Sequence, residues 1–257
     1  MEKNSPGLPP WLLTLSSAVL LSGGWLMSSF PVLIFVGVAP LLAVARPAIR
    51  PGSSVFEKLE LVLVALAVGW VVNAVARDTP IVSALVLAIV FTMAFVAHAW
   101  VRRVLGARTG ILILIFFWLA LEYLMVKFIP SQGFFLADAL RTKEDWLRWN
   151  IHTGYLGASL WVLLVNGCVY LALLQEKKGI QWVWLVAAIL LAAGPVGYSQ
   201  GLDNSPISRE AMINLYQNNP TATDVIYLAR GEWIVRTATW LSALILLFTF
   251  VRQQTRK

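Results

Sequence analysis

The sequence predicts an all-α polytopic membrane protein with about eight transmembrane helices and both termini in the cytoplasm. Of its 257 residues, 59% are hydrophobic and only 13% are charged, whereas a soluble domain carries about a quarter charged residues. Several apolar runs reach the roughly 20 residues that a helix needs to cross a bilayer. The net charge of +7 is spread over short loops between these runs, as expected for a membrane protein and not for one that binds nucleic acid.

Eight apolar runs, each bounded by polar or basic residues, give the predicted spans. They cover about 11–28, 31–46, 58–76, 81–101, 110–129, 157–175, 181–198 and 234–251. Pro31 is expected at the first position of the second span, where a missing N–H costs nothing. Gly37 and Pro40 predict a kink within that short span, because proline removes a backbone hydrogen bond. The Gly194-Pro195 pair predicts a similar break near the end of the seventh span.

Basic residues set the predicted orientation. The cluster at Arg102–Arg108 and the Lys177-Lys178 pair lie on the same side as the N-terminus, and the positive-inside rule places that side in the cytoplasm. Two long segments then face outward, at about 130–156 and 199–233. The first contains apolar residues at helical spacing, which predicts a short helix lying at the membrane interface. The second is polar and too short to hold a core of its own.

Glu122 is the strongest single candidate for a functional residue, because an ionisable group inside a membrane helix is costly and usually faces the protein interior or a watery cavity. It lies in the fifth predicted span, about five residues before Lys127. Two interpretations remain open: a structural ion pair or hydrogen bond, and a contact with a lipid headgroup or substrate.

The run from Trp146 to Asn166 leads from a charged, tryptophan-rich loop into a hydrophobic helix. Trp146, Trp149 and Trp161 are candidates for a binding surface, although tryptophan is common in the aromatic belts of membrane proteins. His152 is a possible base, with an interfacial hydrogen bond as its simpler role. Asn166, like Asn73 and His98 in other spans, is explained most simply by hydrogen bonds between helices.

Metal and cysteine chemistry are not expected. The chain has one cysteine, Cys168, inside a predicted helix, and two histidines. A single cysteine permits neither an intrachain disulfide nor a cysteine metal site, and a thiolate is disfavoured in a membrane. No cofactor is predicted.

Three segments together resemble the membrane portion of the apolipoprotein N-acyltransferase family, particularly its Bacteroidetes-type members. VAPLL (38–42), after Phe30-Pro31, is similar to the family's short second helix. WLALEYL (118–124), with Glu122 and Tyr123, is similar to its fifth-helix motif. WLRWNIHTGYLGASLWVLLVN (146–166) is similar to the run leading into its sixth helix. The resemblance covers about 11–198 and 225–251, and departs from the family at 127–137, which lacks the usual tryptophan-rich stretch.

The family's catalytic domain has no counterpart here. The resemblance implies a nitrilase-like domain with a Glu-Lys-Cys triad between the last two spans, but only residues 199–233 occupy that place. INLYQNNP (213–220) resembles a remnant of the domain's first strand, and TDVIYLARGEW (223–233) resembles the approach to the last helix. Because the chain has no cysteine in its outer segments, the family's covalent mechanism is not transferred to any residue.

The resemblance implies a multi-pass protein of the bacterial inner membrane that does not catalyse acyl transfer on its own. Its expected partners are membrane lipid, and either diacylated lipoprotein or other membrane-protein subunits. The alternative is the membrane half of a split lipoprotein N-acyltransferase, whose nitrilase-like domain is a separate chain.

Overall fold

The computed structural model describes residues 8–27, 31–45, 59–106, 110–129, 135–175, 179–217 and 231–255, which contain helices, turns and irregular segments but no strand. In chain order the helices are α1 (Pro10–Leu26), α2 (Ile34–Gly37), α3 (Ala39–Val44), α4 (Leu59–Ala76), α5 (Ile81–Leu105), α6 (Ile111–Phe128), α7 (Glu144–Leu147), α8 (Asn150–Thr153), α9 (Tyr155–Val169), α10 (Trp182–Gln200), α11 (Arg209–Gln217) and α12 (Glu232–Gln254). Short 3₁₀ turns precede α2 and α7, at Pro31–Leu33 and Leu136–Leu140, and a π-helical turn (Tyr170–Leu174) extends α9.

Six of these helices are long and apolar enough to cross a membrane: α4, α5, α6, α9 with its π turn, α10 and α12. Two further apolar helices are shorter, α1 and the broken segment Pro31–Val44. The multi-pass, all-helical class predicted from composition is therefore confirmed for the described part of the chain. The count of eight spans and the cytoplasmic position of both termini stay predictions.

The second predicted span is broken at the place where its sequence predicts a kink. α2 ends at Gly37, and α3 resumes at Ala39 with Pro40 in its first turn. The corresponding prediction for the seventh span is wrong, because α10 continues through Pro195 to Gln200. Proline's fixed φ suits a helix, and membrane helices tolerate the one lost backbone bond through local adjustment.

Aromatic side chains fill the centre of the bundle between α1, α4, α5 and α6. The Trp25 and Trp70 rings meet edge to face, with centroids 4.9 Å apart. Trp70 also lies 5.4 Å from Phe91, which is 4.5 Å from Trp118. Trp70, Phe91 and Trp118 are fully buried, so this cluster contributes both apolar burial and aromatic pairing of about 0.5–1.5 kcal/mol per pair.

The later helices expose far more apolar surface than the central ones. In α10 only Ala188 and Ser199 are buried, while Val183, Ile189 and Leu190 are each at least 60% exposed. A large apolar exposed surface on a long helix is what a bilayer solvates, so these faces suit contact with lipid.

The two predicted outer segments differ in detail from expectation. Residues 136–153 form the 3₁₀ turn Leu136–Leu140 followed by α7 and α8, in place of one interfacial helix. Of the three apolar residues that motivate that helix, Leu140 and Leu147 are buried against the bundle and Ile151 is half-buried. Residues 213–217 belong to α11 and not to a strand remnant. Residues 218–230 lie outside the described part of the chain.

Candidate functional site

Most of the candidate residues lie at one end of the bundle, where α6 and α10 end and α9 and α12 begin. We call this region the loop end and define it as residues 135–154 and 201–217 with the adjoining helix ends. The segment 201–217 folds back over residues 135–154. The Arg148 guanidinium donates to the Leu202 carbonyl at 2.7 Å. The Asn150 side-chain amide accepts the Ile207 backbone N–H at 2.7 Å and donates to the Ile207 carbonyl at 3.0 Å.

Glu122 is completely buried in α6 beneath the loop end. Its Oε1 accepts hydrogen bonds from the Trp118 indole at 3.0 Å and from the Leu136 backbone N–H at 3.1 Å. Oε2 has no partner with hydrogen-bond geometry, although the Ser159 hydroxyl lies close enough to interact with the carboxyl group. The carboxyl group therefore anchors the Leu136–Leu140 turn to α6, which is the structural interpretation of this residue.

A second carboxylate, Asp138, forms the most highly connected polar centre at the loop end. Its side chain is fully buried and accepts the Tyr155 hydroxyl at 2.5 Å. Its oxygens lie 3.5 Å from Arg77 Nη1 and 4.0 Å from Arg209 Nε. Burial lowers the pKa of the Arg77 guanidinium from its ordinary value, and the attraction of Asp138 opposes that shift. Sequence reasoning missed Asp138, because an acidic residue in a polar loop carries no signal of burial.

Tyr123 belongs to a third polar group, at the start of α12. Its hydroxyl donates to Glu232 Oε1 at 3.2 Å, and the same oxygen accepts from Arg236 Nε at 2.9 Å. Lys127 Nζ lies 3.9 Å from this oxygen. Glu232 is only 2% exposed. These contacts join α6 to α12, and the Tyr123 hydroxyl is hydrogen-bonded within the protein.

Gly231 holds the start of α12 against the α8–α9 junction. A Cβ at this position would overlap the carbonyl group of Thr153. Its φ of +75° is also one that residues with a side chain rarely adopt. The close approach of two backbones here needs glycine.

Trp149 and Trp161 are packed together, as their clustering in the sequence predicts. Their rings meet edge to face with centroids 5.7 Å apart. The Trp161 indole donates to the Leu191 carbonyl of α10 at 2.5 Å, and the ring also packs on Phe35. Trp161 is 3% exposed, so it joins α9 to α10 and α2 and is closed to a ligand.

Trp146 and His152 are the candidates at the loop end whose side chains are not used to join helices. Trp146 is partly exposed, with Lys143 Nζ 5.9 Å from its ring centroid. His152 is exposed, and its Nε2 lies 3.4 Å from the Tyr198 hydroxyl. These side chains offer a cation, an aromatic face and two polar groups on the surface of the loop end.

Asn166 lies away from the loop end, 11 residues along α9 from Tyr155, which corresponds to about 16 Å. Its Oδ1 accepts the backbone N–H groups of Val38 and Ala39 at 2.8 and 2.9 Å. Its Nδ2 donates to the carbonyls of Ile34 and Val162 at 2.9 and 2.8 Å. The amide thus replaces the backbone hydrogen bonds lost at the break between α2 and α3.

Nothing in the described residues resembles a metal centre, since no group of three His, Cys, Asp or Glu side chains is close enough to share an ion. Cys168 is buried within α9. Comparison with known proteins finds no matching family model, no matching curated protein and no matching solved structure.

Proposed function

We propose that this chain is a non-catalytic membrane protein related to apolipoprotein N-acyltransferase, and that its loop end binds the headgroup region of lipid or diacylated lipoprotein in the bacterial inner membrane. The observation that carries the proposal is that the three segments on which the family resemblance rests are in contact with one another in the fold.

Hydrogen bonds connect these segments. Asn166, at the end of the 146–166 run, holds the backbone of Val38 and Ala39 in the VAPLL segment. Glu122, in WLALEYL, binds the amide of Leu136, and the next amide, that of Ala137, donates to Ser159 Oγ of the 146–166 run at 3.1 Å. Motifs related by descent are expected to keep such mutual contacts, whereas chance similarities have no reason to meet.

The closure of the loop end by its own chain supports a binding role over catalysis. The segment that stands where the family inserts a catalytic domain folds back instead, with Arg209 near Asp138 and Met212 buried. α11 also packs against α6. A split enzyme would need this surface open for a separate catalytic chain, so these contacts favour the non-catalytic form.

The accessible surface has the chemistry of headgroup recognition. Lys143 beside Trp146 supplies a cation over an aromatic ring. Tryptophan is suited to the headgroup level because it combines an apolar body with a polar edge. Phosphate groups are held by such basic side chains.

Binding of a synthetic diacylated lipopeptide tests the proposal. The purified full chain is placed in phospholipid nanodiscs, and the affinity is measured by fluorescence of a labelled lipopeptide. Trp146→Ala is expected to weaken binding about tenfold, since an aromatic anchor commonly contributes that much. Trp182→Ala is the matched control, because Trp182 is equally aromatic, 66% exposed and at the other end of α10.

Equal loss in both variants would contradict binding at the loop end. Appearance of the N-acylated lipopeptide with the purified chain alone would contradict the non-catalytic assignment. Purification from native membranes separates the other interpretations: a co-eluting nitrilase-like chain would favour the split enzyme, and a stoichiometric set of unrelated membrane proteins would favour a structural subunit.

A further inference from the structure

A groove lies between α5 and α6, in the half of the bundle nearer the loop end. Its volume is about 180 Å³, and all of its described lining side chains except Ser83 are apolar. We call it the α5–α6 groove and define its two walls by Val86, Leu87 and Val90 of α5 and by Leu124, Met125 and Phe128 of α6. Neither Lys143 nor Trp146 lines it, so a ligand in this groove is independent of the proposed function.

The α5–α6 groove is closed at the end farther from the loop end. There Phe91 of α5 packs on Trp118 of α6 with ring centroids 4.5 Å apart, and both rings are buried. From this contact the groove follows α6 from Leu121 to Phe128, a rise of about 10 Å over seven residues. The groove is therefore a slot that runs along the two helices and ends at the Phe91–Trp118 contact.

The groove has a buried floor and an exposed rim. Leu87 and Met125 on the floor are 2% and 7% exposed, whereas Val86 and Phe128 on the rim are 50% and 78% exposed. The groove is thus open to whatever surrounds the bundle. Because α5 and α6 are both long and apolar enough to cross a membrane, the surroundings at this depth are the hydrocarbon chains of lipid.

The shape and chemistry of the groove select one class of occupant. An ordered water needs two to four polar partners, and Ser83 is the single polar residue among the described lining. A helix of a partner protein is about 10 Å across, so it would reach the floor only with single side chains. A chain of methylene groups is thin enough to lie along the whole groove and to contact the floor throughout.

We infer that the α5–α6 groove holds one acyl chain of a phospholipid, which enters from the headgroup level at the loop end. An apolar cavity of about 150 Å³ holds a six-carbon ring, so a volume of about 180 Å³ accommodates at least a comparable length of chain. The groove's length of about 10 Å is two thirds of the roughly 15 Å of hydrocarbon in one leaflet. It therefore holds the part of the chain nearer the headgroup. Filling it restores the dispersion contacts that an empty groove would forfeit.

Photo-crosslinking of the full chain tests this inference. The chain is placed in phosphatidylglycerol and phosphatidylethanolamine vesicles with a trace of phosphatidylcholine that carries a diazirine on one acyl chain, either near the headgroup or at the chain end. Peptide mass spectrometry then locates the label. The reference is Ile89, which is 51% exposed on α5 but does not line the groove. The near-headgroup probe is expected to label the buried floor, Leu87 and Met125, at least as strongly as Ile89. The chain-end probe is expected to label the floor more weakly than Ile89.

Substitutions on the rim separate occupation of the groove from folding. Val86→Phe combined with Leu124→Phe fills the groove from both walls and is expected to remove most of the floor labelling. Both positions are exposed, so thermal stability is expected to match that of the parent chain. Val82→Phe is the matched control, because Val82 is 71% exposed on α5 and does not line the groove. Trp146→Ala is expected to leave floor labelling unchanged, which separates this inference from the proposed function.

Two results would overturn the inference. If both probes leave Leu87 and Met125 less labelled than Ile89 in the parent chain, protein and not lipid covers the floor of the groove. If the doubly substituted chain is labelled on the floor as strongly as the parent or the Val82→Phe control, the labelled chain does not lie in the groove.

Discussion

Replacing Asn166 by leucine tests whether one side chain maintains the break between α2 and α3. Leucine has the same number and branching of side-chain heavy atoms as asparagine and is somewhat larger, so the change removes hydrogen bonds without opening a cavity. Three backbone groups on the broken helix lose their partner: the N–H groups of Val38 and Ala39 and the carbonyl of Ile34. All three residues are buried, so water offers no replacement.

The expected cost is about 3 kcal/mol, taking about 1 kcal/mol for each buried backbone group left unpaired. Hydrogen bonds between membrane helices average about 0.6 kcal/mol in direct measurements, which sets a lower bound near 2 kcal/mol for the three. The free energy of unfolding is measured by titrating the detergent-solubilised chain with dodecyl sulfate and following helix content.

Asn73→Leu is the control that makes this measurement specific. Asn73 is also fully buried in a membrane helix, but neither its Oδ1 nor its Nδ2 has a hydrogen-bond partner. Removing an unsatisfied amide relieves its burial cost, so this substitution is expected to be neutral or stabilising. The reasoning is refuted if the two variants change stability equally, or if Asn166→Leu costs well under the roughly 2 kcal/mol that three such hydrogen bonds contribute at the measured average.

Three further substitutions, one of them with a matched control, are measured by the same titration. Gly231→Ala is expected to cost more than about 2 kcal/mol, because left-handed strain of about 1–2 kcal/mol adds to the overlap with Thr153; a milder loss would mean that α12 shifts freely. Trp161→Phe keeps the ring contacts and removes one indole hydrogen bond, so a loss of about 0.5–1.5 kcal/mol is expected and no loss would contradict that bond. Asp138→Asn leaves two partly buried arginines without their carboxylate and is expected to cost about 2 kcal/mol or more, while Asp145→Asn, in an exposed pair, should cost less than about 1 kcal/mol. Equal effects of the two aspartate substitutions would contradict the buried network.

The helices were predictable because runs of apolar residues bounded by charges mark where a chain crosses a bilayer. The predicted span 58–76 differs by one residue from α4 (Leu59–Ala76), and the predicted span 110–129 differs by one residue at each end from α6 (Ile111–Phe128). The kink at Gly37 and Pro40 followed from local chemistry alone. Pro195 did not break its helix, since whether a proline interrupts a membrane helix depends on its surroundings and not on its identity.

Long-range pairing was not predictable from one sequence. Asn166 bonds to residues 127 and 128 positions away, and nothing in either segment indicates the other. The burial of Asp138 was unpredictable for the same reason, since it depends on contacts with Arg77 and Tyr155, which belong to distant parts of the sequence. The buried position of Leu140 and Leu147 shows that helical spacing detects an apolar face without showing whether lipid or protein covers it.

A polar residue inside a membrane helix marks function only after its internal hydrogen bonds have been counted. Asn166 repairs a helix break, Glu122 anchors a turn through Oε1, and Tyr123 joins two helices, so each of these three residues has a structural role within the fold. His98 and Asn73 differ, because His98 Nε2 and both polar atoms of the Asn73 amide are buried without a hydrogen-bond partner. An unsatisfied group indicates a ligand only where it borders space that a ligand can enter, because complete burial leaves the cost of the missing hydrogen bond in place and gives a ligand no access to the group.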